Sequence, residues 1–180
     1  MILEPIIYAL RERCLSFGGR VAGLAEYEGL TERSALKTPS AYVVPLEDDP
    51  GPCKGTLSTY HQVIQDQVAV IAVLNNSDRR GQEAAHDVYR IRTELWTALL
   101  GWEPTERHSP CVYTGGQLVT MTPAFVLWKY TFSTEVELTE ADTFHGNDLS
   151  RLTPLDAVDV RLKSHESHDT VSFLSIPLSR

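Results

Sequence analysis

Few of the features that announce a chemistry are present in this chain. Cysteine is scarce: Cys14, Cys53 and Cys111 are odd in number and too dispersed for a zinc spacing or a disulfide framework, which fits a reducing compartment. No segment approaches the ~20 consecutive apolar residues of a membrane span, so no membrane partner is expected. The start, Met-Ile-Leu-Glu-Pro-Ile-Ile-Tyr, has no basic residue ahead of its apolar ones, and Glu4 and Arg11 interrupt the run. That predicts no secretory leader and a soluble protein made in a cytoplasm. There is no Gly-x-Ser-x-Gly elbow, Walker loop or dinucleotide fingerprint. Phe17-Gly-Gly and Thr114-Gly-Gly lack the downstream lysine or helix that phosphate binding requires, and read as turn punctuation. Basic excess is missing too, since a net charge of -8 argues against specific nucleic-acid binding and against attraction to anionic membrane.

What is present suits one core. At 180 residues with 42% hydrophobic residues the chain is sized for a single domain with an appended tail. Acid accumulates late: residues 132–180 hold nine acids and four bases, 4 - 9 = -5 of the total, whereas residues 1–40 balance five against five. The boundary is placed at Leu138, giving an α+β domain over residues 1–138 and an acidic extension over residues 139–180.

Glu4-Pro5 opens an amphipathic helix, with proline in the first turn and an acid at the positive end of the dipole. Leu3, Ile7, Leu10, Cys14 and Phe17 recur along it, and Gly18-Gly19 ends it. Ser40-Ala-Tyr-Val-Val-Pro reads as a short strand. Turn formers fill residues 47–55, which predicts a loop; Glu47, Asp48 and Asp49 lack the alternating oxygen ligands and terminal glutamate of a calcium loop, so no metal is assigned.

Residues 59–75 then form an unusually long extended stretch, mixed polar at first and solidly apolar from Val68 to Leu74. At about 3.3 Å per residue it would reach roughly 50 Å, so part of it is expected to outrun its own sheet and leave backbone groups for another copy to satisfy. Gln62, Val63, Ile64, Gln65, Asp66 and Gln67 are the interface candidates on this arm. Ser77 or Asp78 can cap the helix that follows, over residues 78–100. Ala84, Val88, Ile91, Leu95 and Ala98 or Leu99 mark its inward face, most of its charges lie away, and Gly101 stops it. Arg79 and Arg80 in its first turn oppose the helix dipole, so they either meet a neighbouring subunit's acid or extend into solvent.

Residues 111–116 and 117–122 read as strand, turn and strand, and residues 125–138 as a second long strand. Residues 139–153 are polar and charged, and residues 158–162 with 171–176 read as a hairpin. The fold class is therefore α+β: a mainly antiparallel sheet packed with two main helices, with a long arm for oligomerisation.

Catalytic constellations fail on inspection, and none is assigned, nor any cofactor. His165 and His168 stand three apart and flank a turn, where a zinc protease needs two histidines four apart on a helix. Cys111 paired with a histidine would be needed for a small hydrolase, while Cys14 reads as a core cysteine.

The order of segments, more than any one of them, resembles the tail terminator (tail completion) proteins of tailed bacteriophages. The strings that carry it are Ala41-Tyr-Val-Val-Pro-Leu, Gln67-Val-Ala-Val-Ile-Ala-Val, Glu94-Leu-Trp-Thr-Ala-Leu-Leu-Gly-Trp and Tyr113-Thr-Gly-Gly-Gln-Leu, after an N-terminal helix. The resemblance spans residues 1–138. It implies a non-enzymatic virion protein, assembled in the host bacterial cytoplasm, whose homo-hexameric ring caps the tail tube and stops its polymerisation. Its partners would be the tail tube protein, the neck or head–tail connector proteins and, in some particles, a sheath. Another ring-forming neck or head-completion protein would share size, charge and arm, and the small Cys/His hydrolase stands as an alternative from another class.

Overall fold

The sheet is organised by two 15-residue strands, paired antiparallel along their full length from His61↔Thr139 to Asn75↔Phe125. The computed structural model describes residues 3–25, 37–56, 59–76, 82–152, 157–162 and 172–177. In chain order the elements are α1 (Glu4–Arg13), β1 (Val21–Ala22), β2 (Ser40–Pro45), β3 (Asp49–Pro50), β4 (His61–Asn75), α2 (Gln82–Leu99), β5 (Val112–Met121), β6 (Phe125–Thr139), α3 (Phe144–Ser150), β7 (Ala157–Leu162) and β8 (Ser172–Pro177). Strand order is β1-β2-β4-β6-β5, with β3 pairing β4; only β1 and β2 run parallel. The fold is α+β, with a mostly antiparallel six-stranded sheet.

Alternation along β4 sorts its apolar run onto two faces. Val68, Val70, Ala72 and Leu74 join Ile6, Leu10 and Phe17 from the N-terminal segment and Ile91, Leu95 and Leu99 from α2. Ala69, Ile71 and Val73 form a second cluster with Leu127 on the other face. Burial on both faces is why this stretch reads as continuously apolar.

Helix α1 is shorter than its periodicity suggests. Cys14 leaves helical geometry (φ -97, ψ 90), a tighter turn carries Leu15–Phe17, and Gly18 closes it with φ 54. The buried stripe is Ile6, Ala9 and Leu10, with Ile7 at its margin. Helix α2 buries Ala84, Ile91, Leu95, Ala98 and Leu99, with Val88 half-buried. Gly101 ends it in the left-handed region at φ 74, which a side chain there would strain. Glu94 does not point away: its carboxylate accepts from the Ser16 backbone N–H at 3.1 Å and from the Ser16 hydroxyl, tying the turn that follows α1 to α2.

The expected turn at Gly115-Gly116 is absent; β5 is one strand with register irregularities between Tyr113 and Gly115 and between Leu118 and Thr120. Gly116 serves close approach instead. A Cβ there would lie 2.6 Å from Tyr113 Oη and 3.0 Å from Trp128 Nε1.

The chain divides into two compact units, Met1–Thr139 and Glu140–Arg180. In the second, a stretch that reads as polar linker holds α3, whose N-cap Thr143 accepts from Gly146 N–H at 3.1 Å. Strands β7 and β8 pair antiparallel from Ala157↔Pro177 to Leu162↔Ser172.

Candidate assembly surface

Beyond the reach of β2, residues 61–67 of β4 and 133–139 of β6 continue as an arm. Its backbone is not left open. On the β4 side, Leu46 N–H donates to Gln67 O at 3.0 Å, β3 pairs Asp49↔Gln65 and Pro50↔Ile64, Gly51 N–H donates to Val63 O at 2.8 Å and Lys54 N–H to His61 O at 2.9 Å. On the β6 side, Ser109 N–H donates to Glu135 O at 2.8 Å, Glu135 N–H donates to Ser109 Oγ at 2.8 Å, and His108 bridges to Val136. The expectation that part of β4 outruns its own sheet is thereby corrected. The turn formers at residues 47–55 misled because Pro50, Gly51 and Pro52 break a strand pattern while their neighbours still meet alternate backbone groups of β4.

Side chains therefore decide what the arm offers. Gln62, Val63, Ile64, Gln65 and Gln67 are half-buried. Asp66 is only 7% exposed, and its Oδ2 lies 3.3 Å from His108 Nε2. The other ring nitrogen, His108 Nδ1, is 2.6 Å from Thr105 Oγ1, which orients the imidazole. The carboxylate of Asp66 is thus engaged at the arm's root, inside its own chain. Nearer the end, His61 Nε2 lies 2.7 Å from Glu137 Oε1. Glu47, Asp48 and Asp49, flanking and entering β3, are exposed and form no ion pair among the described residues. Arg79 and Arg80 lie outside the described residues.

A second surface lies where α2 passes β5 and β6. Arg92 sets its guanidinium carbon 4.4 Å from the Tyr89 ring centre and 4.8 Å from that of Trp96, within cation–π range. Trp96 meets Tyr113 edge-on at 5.4 Å, and Tyr113 meets Phe132 in the same way at 5.4 Å. Tyr130 Oη donates to Val88 O at 2.7 Å. Burial raises the Tyr113 phenol, with Arg92 acting in the opposite direction. Arg92 Nε, Trp96 Nε1 and Trp128 Nε1 are buried donors without an acceptor among the described residues. Beside them Leu118 is 49% and Met121 52% exposed. No sequence signal marks this grouping, since helical position and the β5–β6 register bring it together.

The cysteines behave as core and surface residues. Burial, with a smaller contribution from Glu94, pushes the Cys14 thiol up to about 12, and burial pushes Cys111 up to about 11. At neutral pH both are protonated and poor nucleophiles. Cys53 is exposed. His165 and His168 lie outside the described residues. Among the described residues there is no cluster of three or more His, Cys, Asp or Glu side chains able to hold a metal ion, and no helix is long and apolar enough to cross a membrane.

The model of the phage tail terminator protein family matches residues 1–143, and the chain belongs to that family. It is accordingly a structural component of a bacteriophage tail that interacts with other tail components. No curated protein matches it closely enough to add a relative.

Proposed function

We propose that this chain forms a homo-oligomeric ring, six-membered as the family resemblance implies, that caps the last ring of tail tube subunits. The cap stops further polymerisation and offers its other face to the neck or head connector, with a sheath, where present, alongside. Residues 1–138 supply the body of the ring and residues 139–180 an accessory to assembly. The observation that carries the reading is the family match over residues 1–143, which takes in the whole first unit. The arm supports it: with its backbone internally paired, it would present the half-buried Gln62, Val63, Ile64, Gln65 and Gln67 to a neighbour without templating uncontrolled strand addition. Arg79 and Arg80 are further candidates for contact with a neighbouring subunit. The protein acts in the virion after assembly in the host cytoplasm, and no catalytic role is proposed.

Tail length tests the reading directly. Electron microscopy of particles made without this protein is expected to show tubes of uncontrolled length detached from heads, with purified protein restoring normal length. Tubes of normal length that merely fail to join heads would overturn it in favour of a neck or head-completion role.

A further inference from the structure

On the face where α2 passes β5, Arg92 carries a charge that no acceptor among the described residues meets. Arg92 is held over two aromatic rings, yet forms no hydrogen bond or ion pair among the described residues. The neighbouring indoles Trp96 Nε1 and Trp128 Nε1 are buried, and the Asp87 carboxylate is engaged by Arg90 at 2.8 Å, so neither offsets the Arg92 charge. Register places Tyr113, Gly116, Leu118 and Met121 opposite Phe132, Tyr130, Trp128 and Val126, so the aromatic floor continues into the exposed apolar residues of β5. Tryptophan, tyrosine and arginine beside a half-exposed apolar rim form the composition of an interface hot spot.

The complementary charge is on the same chain. Glu47, Asp48 and Asp49 are exposed on the arm and have no cationic partner among the described residues. Asp49 is held in β3 by its pairing with Gln65. Resting on the proposed ring, we propose that the Arg92 face of one copy receives the acidic β3 edge of the arm of a second copy, with a carboxylate of Asp48 or Asp49 on Arg92. The Arg92 face and the arm are different surfaces, so the contact is heterologous, and repetition with the right rotation closes a ring. The exposed apolar pair Leu118 and Met121 is covered in the same contact.

Charge exchange tests it. Arg92→Glu and the double variant Asp48→Arg, Asp49→Arg are each prepared as the full chain. Assembly is followed by sedimentation velocity, or on the ends of purified tail tubes if the wild type needs that template. Each variant alone is expected to associate on the order of tenfold or more weakly than wild type. A one-to-one mixture is expected to recover wild-type assembly. In alternating copies the introduced glutamate of one copy meets the introduced arginines of the neighbouring arm, and the unchanged Arg92 of the next copy meets an unchanged Asp48 and Asp49. Thermal melting checks that each variant folds; if Arg92→Glu melts early, Arg92→Gln and the arm variant, whose changes are exposed, carry the test. Rings that form from either variant alone as from wild type, or a mixture that stays dissociated, overturn this contact and leave the ring reading standing. Wild type that neither self-associates nor binds tube ends overturns both.

Discussion

Removing Asp66 should loosen the root of the arm by an amount the geometry bounds. The Asp66 and His108 side chains are 10% and 8% exposed, so neither can exchange its partner for bulk water. Asp66→Ala leaves His108 Nε2 buried without that acceptor, a loss of about 1–3 kcal/mol. The 3.3 Å separation is long for a charge-assisted bond, which favours the lower half of that range. With about 2.1 cal/mol/K of unfolding entropy per residue over Met1–Thr139, the melting temperature should fall by about 3–10 °C. A double-mutant cycle separates the pair from the cavity each change leaves. His108→Ala should cost a similar amount, and the double variant should lose little more than the worse single one, a coupling above about 0.5 kcal/mol by urea denaturation at constant m. If the two losses simply add, within ~0.3–0.5 kcal/mol, the two side chains do not hold one another and the clasp at the arm's root is refuted.

Leu95→Ala, at a fully buried site between α2 and the sheet, should cost ~2–5 kcal/mol in chemical denaturation, and a loss under about 0.5 kcal/mol would mean its environment is not a packed core. Val63→Asp with Ile64→Asp should leave a folded monomer but block assembly, read by circular dichroism and sedimentation; equal loss of monomer stability would return these half-buried residues to the core. Because the folded chain raises Cys14 from 9.0 to about 12 and Cys111 from 9.0 to about 11, it favours the neutral thiols, and the unfolded chain ionises first as pH rises. Their contribution to stability should be intact below pH 9 and decline above it, and at pH 8 alkylation should take Cys53 rapidly and the other two only on unfolding. Deleting residues 139–180 should leave a folded protein of similar melting temperature with a defect confined to joining the tube or neck; failure to fold would make the extension part of the sheet's support.

What could be read in advance was what local pattern encodes. The apolar run from Val68 to Leu74, the stripe from Ala84 to Leu99 and the stop at Gly101 each have one consistent local reading, and the α+β class follows from their order. Where a local preference competes with a distant neighbour, reading fails. Gly115-Gly116 has the composition of a turn, but the space that Tyr113 and Trp128 take above Gly116 is set by the β5–β6 register. Pro50 and Pro52 disguise a segment that lines the arm. Asp66 was legible as an arm residue but not as the partner of His108, 42 positions away, and Arg92 reads as one more surface charge until Tyr89 and Trp96 stack beneath it.

The closed edges of the arm bear on how a terminator must assemble. A bare strand edge is a template for any extended chain, so a protein stored at high concentration beside growing tubes would add strands to itself before it met its target. Here residues 46–54 occupy one edge of the arm and residues 108–109 the other, while the irregular register of β5 interrupts the margin of the main sheet. On the proposed reading association falls to side chains: half-buried polar and apolar groups on the arm, and the Arg92 face beside β5. Contacts of that kind are weak singly and depend on orientation, so in the proposed assembly they would gain strength when several copies are held side by side on a ring of tube subunits. The proposed cap would close where the tube ends and not in free solution, and its assembly should rise steeply with the number of tube ends offered, not with protein concentration alone.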